Sequence, residues 1–403
     1  MRIQRNDTLL TIDAIKQRLL ENLRHEQYAG YDPFDGLNSR LLKMSGLHRF
    51  PLVRLAWIQV FKRCPVNLRP LVGVPKCRNP KGIALVILGL LQDFEVTKDQ
   101  ALLEEAKLLG DWLLEHSCSR DDWKYFCWGY PFPWQTRAFF VPDGTPNIIT
   151  TCYAARALWL LKRVTGLSHY MEAACDAAWF IARNLYVQHN GRRFLTYIPG
   201  ETVFVHNANL WGSAVLALAY RKTGKDELAD MACEVARQSV NEQHSDGSWP
   251  YGTRNNHRFI DSFHTGYNLE ALYVVRQQLQ TEEFDVSIDS GMQYYRTHFF
   301  FEDGTPKYYH DSVYPIDMHS VAQAVLTLSR VGGSAEDHAI VHRVMHWAVK
   351  HMYCPKTGYF YYQINRFYRN RISYLRWTQA WAYLALASYS NNYQSTRATE
   401  GNQ

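Results

Sequence analysis

Apolar residues recur at helical spacing along most of this chain, beginning with an amphipathic pattern over residues 8–28. Two shorter helices are predicted over residues 37–45 and 51–63. An irregular connector that contains several Pro and Gly residues follows over residues 66–78. We therefore expect residues 1–78 to form an N-terminal helical extension in front of a more regular arrangement.

From Asn79 onwards one pattern repeats: a helix that is apolar nearly all round, a short turn, an amphipathic helix and a long loop. A helix that is apolar on every side must be buried, whereas a helix with one apolar stripe packs on an outer layer. The pattern therefore predicts inner helices that alternate with outer helices. The inner helices are predicted to start near Pro80, Ile148, Asn207, Phe263, Met318 and Trp377.

Inner and outer helices that alternate at a nearly fixed period fit an all-α fold, a closed ring of six helical hairpins over residues 79–390. The sixth inner helix lacks a partner, because residues 391–403 are polar and are expected to form a disordered tail. Either the first or the third N-terminal helix is therefore expected to close the ring. Short strand pairs are expected within long loops, for instance over residues 193–205 and 358–369. The competing fold is an open α-solenoid, whose repeats usually have short loops on both sides.

The composition is that of a globular protein with a high share of aromatic residues, 14% of the chain, including 12 Trp and 26 Tyr. The formal charge of +6 is mild and no run of like charges occurs, so nucleic-acid binding is not expected. The eight Cys are scattered without a C-x-x-C pair, which favours reduced thiols over disulfides or a zinc site. Without a signal-peptide pattern or an apolar stretch long enough to span a membrane, the chain is predicted to be cytoplasmic.

In a ring of hairpins, every loop that precedes an inner helix emerges on the same rim, and in this chain those loops are the long ones. They concentrate Trp, Tyr, Asn, Gln and Arg, so this rim is predicted to form a concave binding site. Aromatic faces beside fork-like polar groups suit a carbohydrate, and the excess of Arg and Lys over carboxylates favours an anionic sugar such as a uronate. The candidate substrate-binding residues are Trp128, Trp134, Asn147, Asn207, Trp249, Tyr251, Arg254, Arg258, Tyr314, Arg376, Trp377 and Gln379.

Two carboxylates occupy equivalent places on this rim. Asp261 and Asp317 each stand just before the first turn of an inner helix, and each is followed by a His two or three residues later. Paired carboxylates across a cleft are the acid and base of a glycoside hydrolase, here an inverting one. The alternative is that each Asp only caps its helix.

The His and Tyr residues of the same rim suggest a different reaction. They could exchange a proton at carbon 5 of a uronate while Arg and Asn neutralise the sugar's carboxylate, which is the logic of β-elimination and of C5 epimerisation. Each of these His residues could instead be a hydrogen-bonded scaffold group. With the two Asp residues, the catalytic candidates are His206, His264, His319 and Tyr374.

Three segments carry a family resemblance: DGSWPYG at a repeat boundary, HTGYNLEAL opening one inner helix and RWTQAWAYLAL opening the last. With the six hairpins, they resemble the (α/α)6-toroid proteins, including N-acylglucosamine 2-epimerases, unsaturated glucuronyl hydrolases and D-glucuronyl C5-epimerases. The pattern over about residues 79–390 is most similar to the VpsJ-type family of exopolysaccharide biosynthesis. The resemblance implies a toroid, an acidic oligo- or polysaccharide substrate and an association with polysaccharide assembly machinery.

Nucleotide-binding, zinc-protease and serine-hydrolase motifs are absent, and no ligand spacing fixes a metal site. We therefore predict a carbohydrate-active enzyme of polysaccharide biosynthesis or modification that uses no cofactor and no metal. Its expected reaction is proton transfer at carbon 5 of a uronate, as in an epimerase or a lyase. A two-Asp glycoside hydrolase and a non-catalytic glycan-binding or assembly subunit are the alternatives.

Overall fold

The computed structural model describes residues 2–135 and 140–400, and the side chains of residues 12–135 and 140–392. In chain order the helices are α1 (Arg2–His25), α2 (Arg40–Met44), α3 (Pro51–Arg63), α4 (Pro80–Thr97), α5 (Gln100–Glu115), α6 (Arg120–Trp123), α7 (Ile148–Thr165), α8 (Ser168–Phe180), α9 (His206–Thr223), α10 (Asp226–Val240), α11 (Ser262–Leu279), α12 (Asp285–Phe299), α13 (Met318–Thr327), α14 (Ala335–Met352) and α15 (Ala380–Glu400). Wider π-helical turns extend α8 and α13 and precede α15, over Ile181–Leu185, Leu328–Gly332 and Leu375–Gln379.

The helices that are apolar nearly all round form an inner ring in which α4, α7, α9, α11, α13 and α15 pack side by side, with α15 returning to α4. Their apolar residues are almost completely buried, as all-round apolar helices require. Four of these helices start at an Asn or Asp whose side chain accepts a backbone N–H of the first turn: Asn79, Asn147, Asp261 and Asp317. The amphipathic helices α5, α8, α10, α12 and α14 form the outer layer.

Helix α1 takes the sixth outer position. Ser390 of α15 donates a hydrogen bond to Asp13 at 2.8 Å, and Lys16 reaches Asp93 of α4 at 2.7 Å. The prediction of an all-α (α/α)6 toroid closed by an N-terminal helix is therefore confirmed, with the first helix in the closing position. Helix α15 continues to Glu400, into residues 391–403, which the sequence predicted to be a disordered tail.

The two rims of the ring differ as the loop lengths predicted. On one rim, short turns join inner to outer helices, and Gly166 and Gly224 end α7 and α9 in the left-handed conformation that Gly adopts readily. On the other rim, the long loops carry short antiparallel strands. These are β1 (Trp134–Gln135) with β2 (Phe140–Val141), β3 (Tyr186–His189) with β4 (Arg192–Leu195), β6 (Tyr353–Cys354) with β7 (Tyr359–Phe360), and β8 (Gln363–Ile364) between β5 (Ile316–Asp317) and β9 (Arg369–Asn370). Among the helices described, none is long and apolar enough to cross a membrane.

Candidate active site

The long loops surround a cavity of about 750 Å³ at the mouth of the inner ring. Its wall combines aromatic rings with a few titratable groups, drawn from five of the six rim loops and from the N-terminal extension. Of the residues predicted from the sequence, this wall includes Trp134, Asn207, Tyr251, Arg254, Asp261, His264, His319, Arg376 and Trp377.

One titratable pair lies at the start of α11. Asp261 caps this helix by accepting the backbone N–H of His264 at 2.8 Å, and its other oxygen lies 2.7 Å from Nδ1 of the same His. The Asp261 side chain has no exposed surface, while that of His264 is 19% exposed. The carboxylate fixes Nδ1 as the donor nitrogen of the ring and leaves Nε2 as the nitrogen with the lone pair.

A second group of polar side chains lies deeper in the cavity. The Tyr267 hydroxyl accepts a hydrogen bond from Lys81 at 3.0 Å and lies 2.6 Å from Nε2 of His319. Burial lowers the pKa of Lys81 well below its ordinary value. Burial, followed by the nearby Lys81 and Arg376 charges, does the same to the pKa of His319. The His319 ring is therefore neutral at physiological pH.

The Phe263 ring separates these two groups. Its centroid lies 4.0 Å from that of His264 and 4.7 Å from that of His319. Both histidines therefore belong to one wall of the cavity, with an apolar ring between them.

Asp317 lies behind the wall. Its carboxylate accepts the backbone N–H of His319 at 2.8 Å and the Gln363 amide at 2.7 Å, and the indole N–H of Trp377 approaches it at 3.2 Å. It is completely buried, and burial raises its pKa to about 6. The structure therefore places Asp317 as a helix cap that also orients Trp377, without access to the cavity.

Arg376 lines the cavity, but its guanidinium already forms a two-point ion pair. Nε and Nη2 donate to the two carboxylate oxygens of Asp32 at 2.6 and 2.8 Å, and both residues are buried. The guanidinium also lies 4.7 Å from the centre of the Tyr130 ring. A substrate carboxylate would have to compete with Asp32, so Arg376 is not available as a simple two-point binding group.

Three other basic side chains of the wall have no carboxylate partner among the described residues. Within the described part of the chain, Lys62, Lys81 and Arg254 have no carboxylate within ion-pair distance, and all three contact the cavity. The carboxylates of the wall are Glu201 and Asp261, and the latter is committed to His264. The cavity is therefore suited to a negatively charged ligand.

The remaining predicted residues lie outside the cavity wall. Trp128 and Trp249 are buried and donate to the backbone oxygens of Leu113 and Ser239. The other buried ones are Asn147, which caps α7; His206, whose pKa burial lowers to about 3; Tyr374, which is bonded to Arg69; and Gln379, which is bonded to the Phe360 backbone. Arg258 and Tyr314 are exposed on the loops and do not reach the wall.

Several wall residues are not among the site residues predicted from the sequence. Lys81 and Tyr308 were expected on the rim but not as site residues, and Lys62 and Tyr267 were not expected there. Lys81 stands in the first turn of an inner helix that is otherwise apolar, and Tyr267 is one turn beyond His264 on α11. A lone Lys on an all-round apolar helix and an aromatic residue three positions after a candidate base are signals that the sequence contains. Lys62 lies on α3, whose approach to the rim no repeat pattern indicates.

The fold and the cavity of about 750 Å³ on the long-loop rim define the class of this molecule, a helical toroid with a site on that rim. No protein-family model and no curated protein sequence matches the chain.

Solved structures show the same fold. A cellobiose 2-epimerase from Bacillus thermoamylovorans B4167 is 12% identical, with a TM-score of 0.59 and coverage of 77% of this chain and 87% of that one. An unsaturated glucuronyl hydrolase from Streptococcus agalactiae is 12% identical, with a TM-score of 0.62 and coverage of 95% and 92%. A GH76 α-mannanase from Bacteroides thetaiotaomicron is 10% identical, with a TM-score of 0.57 and coverage of 79% and 88%. At such identities the similarity establishes the (α/α)6-toroid fold and leaves the reaction open.

Proposed function

We propose that this protein acts on an acidic, uronate-containing glycan by proton transfer at carbon 5 of the sugar, as an epimerase or a lyase does. The observation that carries the proposal is the Asp261–His264 pair in the cavity wall. A buried carboxylate holds Nδ1–H of the imidazole, and the partly exposed ring is left with a basic Nε2. Such a pair is suited to take a proton and to stabilise the imidazolium that results.

The charges of the wall support an acidic substrate. A proton at carbon 5 of a uronate is adjacent to a carboxylate, and its removal places additional negative charge on that group. Lys62, Lys81 and Arg254, which have no carboxylate partner in the described part of the chain, line the cavity and are positioned to offset this charge. Trp134, Tyr251 and Trp377 provide aromatic faces for the sugar ring.

The proposed step is balanced by one proton and one electron pair. His264 Nε2 takes the proton from carbon 5, and the electron pair moves toward the sugar carboxylate. In epimerisation a proton returns to carbon 5 from the opposite face of the sugar, from solvent or from a group across the cavity, because Tyr267 shares a wall with His264. In elimination the same electron pair instead breaks the bond between carbon 4 and its oxygen, and that oxygen takes a proton from the Tyr267 hydroxyl, which is hydrogen-bonded to Lys81 and His319. An unsaturated sugar and a free hydroxyl group result.

Two rival functions find less support in the geometry. A hydrolase that uses Asp261 and Asp317 requires two carboxylates that reach the substrate. Here Asp317 is buried behind Trp377, and Asp261 is engaged by His264. A binding subunit needs no buried acid–base pair in its wall. The names of the similar structures, a sugar epimerase and a glucuronyl hydrolase among them, support a sugar substrate.

The test is to incubate the protein with uronate-bearing oligosaccharides in D₂O. We expect deuterium at carbon 5 by mass spectrometry and NMR, or an unsaturated product by ultraviolet absorbance. His264→Gln should lower the rate by about 10²- to 10⁴-fold, the usual contribution of a general base. The matched control is His338→Gln on the exposed face of α14, which should keep full activity. Glycan binding without either product would replace the proposal with a binding role.

A further inference from the structure

The N-terminal extension carries an unusual combination of charge and apolar exposure. Residues 36–78 contain nine Lys and Arg and no Asp or Glu. This stretch also exposes large apolar side chains that soluble proteins usually cover, with Met44 87%, Leu52 79% and Leu71 81% exposed. Scattered exposed Leu residues need no explanation, but a concentration of them within an acid-free segment does.

These side chains lie on neighbouring elements. Backbone N–H groups of Arg40 and Leu41 donate to the carbonyls of Gly73 and Val72, which brings Leu71 next to the start of α2. Helix α2, the turn that follows it and the start of α3 pack together, which places Leu41, Met44, Leu47 and Phe50 along the same part of the surface.

Helix α3 continues this surface, and its outward face carries apolar residues where polar ones are usual. Its exposed positions include Leu52, Ala56, Val60 and Arg63, which follow one another at helical spacing along one face. The outward face of a helix on a soluble domain is normally polar. At the far end of α3, Tyr368 donates to the Arg63 carbonyl, so that the loop bearing Phe367, itself 88% exposed, lies against this end.

Cations surround this apolar surface without acidic partners. Arg40, Lys43, Arg49, Arg63, Arg366 and Arg369 are exposed, and within the described residues none of them pairs with a carboxylate. We call the whole region, residues 40–72 with 366–369, the basic–apolar surface.

We propose that the basic–apolar surface docks the protein peripherally on an anionic phospholipid bilayer. Protruding Leu, Met and Phe side chains are suited to enter the headgroup boundary, and the surrounding Lys and Arg to attract anionic headgroups. A second copy of the chain fits less well, because a two-fold contact would bring like charges together. A nucleic acid fits less well too, because its charged backbone would not bury the protruding aliphatic side chains. The inference is independent of the proposed reaction, although Lys62 of α3 also lines the cavity and so sets the docking surface beside the site.

The test is flotation of the full-length protein with two kinds of vesicle, phosphatidylcholine alone and equal parts of phosphatidylcholine and phosphatidylglycerol. We expect binding to the anionic vesicles that weakens with added salt. The variant Arg40→Gln/Lys43→Gln/Arg49→Gln should lose about fivefold in partitioning for each charge removed. The variant Met44→Ser/Leu52→Ser/Leu71→Ser should lose at least about tenfold.

The matched control is Leu108→Ser/Val286→Ser, two side chains 70% and 82% exposed on the outer helices α5 and α12, and it should bind as the wild type does. No binding to anionic vesicles, or equal binding to neutral ones, would overturn the inference. Polyglutamate, an acidic polymer without a lipid phase, tests for charge alone. If the protein bound polyglutamate as tightly as the anionic vesicles, and the apolar substitutions did not weaken that binding, the inference would also be overturned. Light scattering that shows a dimer abolished by the apolar variant would assign the surface to a second copy instead.

Discussion

Arg376, in the π-helical turn before α15, and Asp32 in the N-terminal extension form a buried two-point ion pair across 344 residues of sequence, with N–O distances of 2.6 and 2.8 Å. The pair ties the extension to the rim of the ring at the edge of the cavity. Because Arg376 also faces the cavity, its orientation sets part of the wall that a ligand meets.

Removing one partner of this pair should destabilise the protein strongly. Asp32→Asn leaves a buried guanidinium without its counter-charge, which costs about 3–5 kcal/mol in comparable cases. The measurement is the free energy of unfolding in urea. As a control, Glu283→Gln breaks the exposed pair with Arg237 and should cost less than about 1 kcal/mol. Equal small losses in both variants would show that the Asp32–Arg376 pair contributes little.

Asp261→Asn should separate the two roles of this residue, which are to orient the His264 ring and to cap α11. Asn caps a helix about as well as Asp, so the unfolding free energy should change by less than about 1 kcal/mol. The loss of the negative charge that orients and stabilises the His264 ring should nevertheless lower deuterium exchange at carbon 5 by about 10²-fold or more. Substrate affinity should stay within a few-fold. A variant that loses stability and activity in parallel would indicate that Asp261 has a structural role only.

Asp317 should make the stability depend on pH. Burial raises its folded-state pKa from 3.8 to about 6, so between these values the folded state holds a proton that the unfolded state releases. The stability from this proton is fully present below about pH 4 and is lost as pH rises through 6, a loss of about 3 kcal/mol. Urea unfolding from pH 4 to 7 should therefore give curves for the wild type and Asp317→Asn that are not parallel. Parallel curves would contradict the shift.

The ring could be predicted because it depends on which helices are apolar all round, and each helix shows that property in its own sequence. The direction in which a rim side chain points depends on contacts with distant residues, so the local sequence does not give it. Trp249 and Trp377 stand in equivalent loops, yet one bonds to the Ser239 carbonyl beneath the rim and the other lines the cavity. The partner of Arg376 could not be inferred either, because it comes from outside the repeats.

One difference between the starts of α11 and α13 could nevertheless be predicted from the sequence. His264 stands three residues after Asp261, close enough for its ring to fold back onto the capping carboxylate. His319 stands only two residues after Asp317, and its ring turns to Tyr267 instead. The two Asp–His motifs look equivalent in sequence, but this spacing distinguishes a paired base from a scaffold histidine.

Lys81 should provide a pH-dependent contribution to ligand binding. Its amine is buried among the Tyr153, Tyr267 and Trp381 rings, and burial lowers its pKa well below the ordinary value. A bound carboxylate favours the charged form, so binding of an acidic sugar should be accompanied by proton uptake, and affinity should fall as pH rises above the pKa of the unliganded site. Calorimetry in two buffers of different ionisation enthalpy measures this uptake directly.

Lys81→Met should abolish the proton uptake and weaken binding of a uronate oligosaccharide by about tenfold or more, while a neutral oligosaccharide of the same length should bind as before. Lys98→Met, an exposed Lys at the end of the same helix, is the matched control and should leave both affinities unchanged. Arg at position 81 should not restore binding, because its larger planar group does not fit among three rings that hold a compact amine. If Lys81→Met weakened acidic and neutral sugars equally, Lys81 would act by shaping the cavity rather than by its charge.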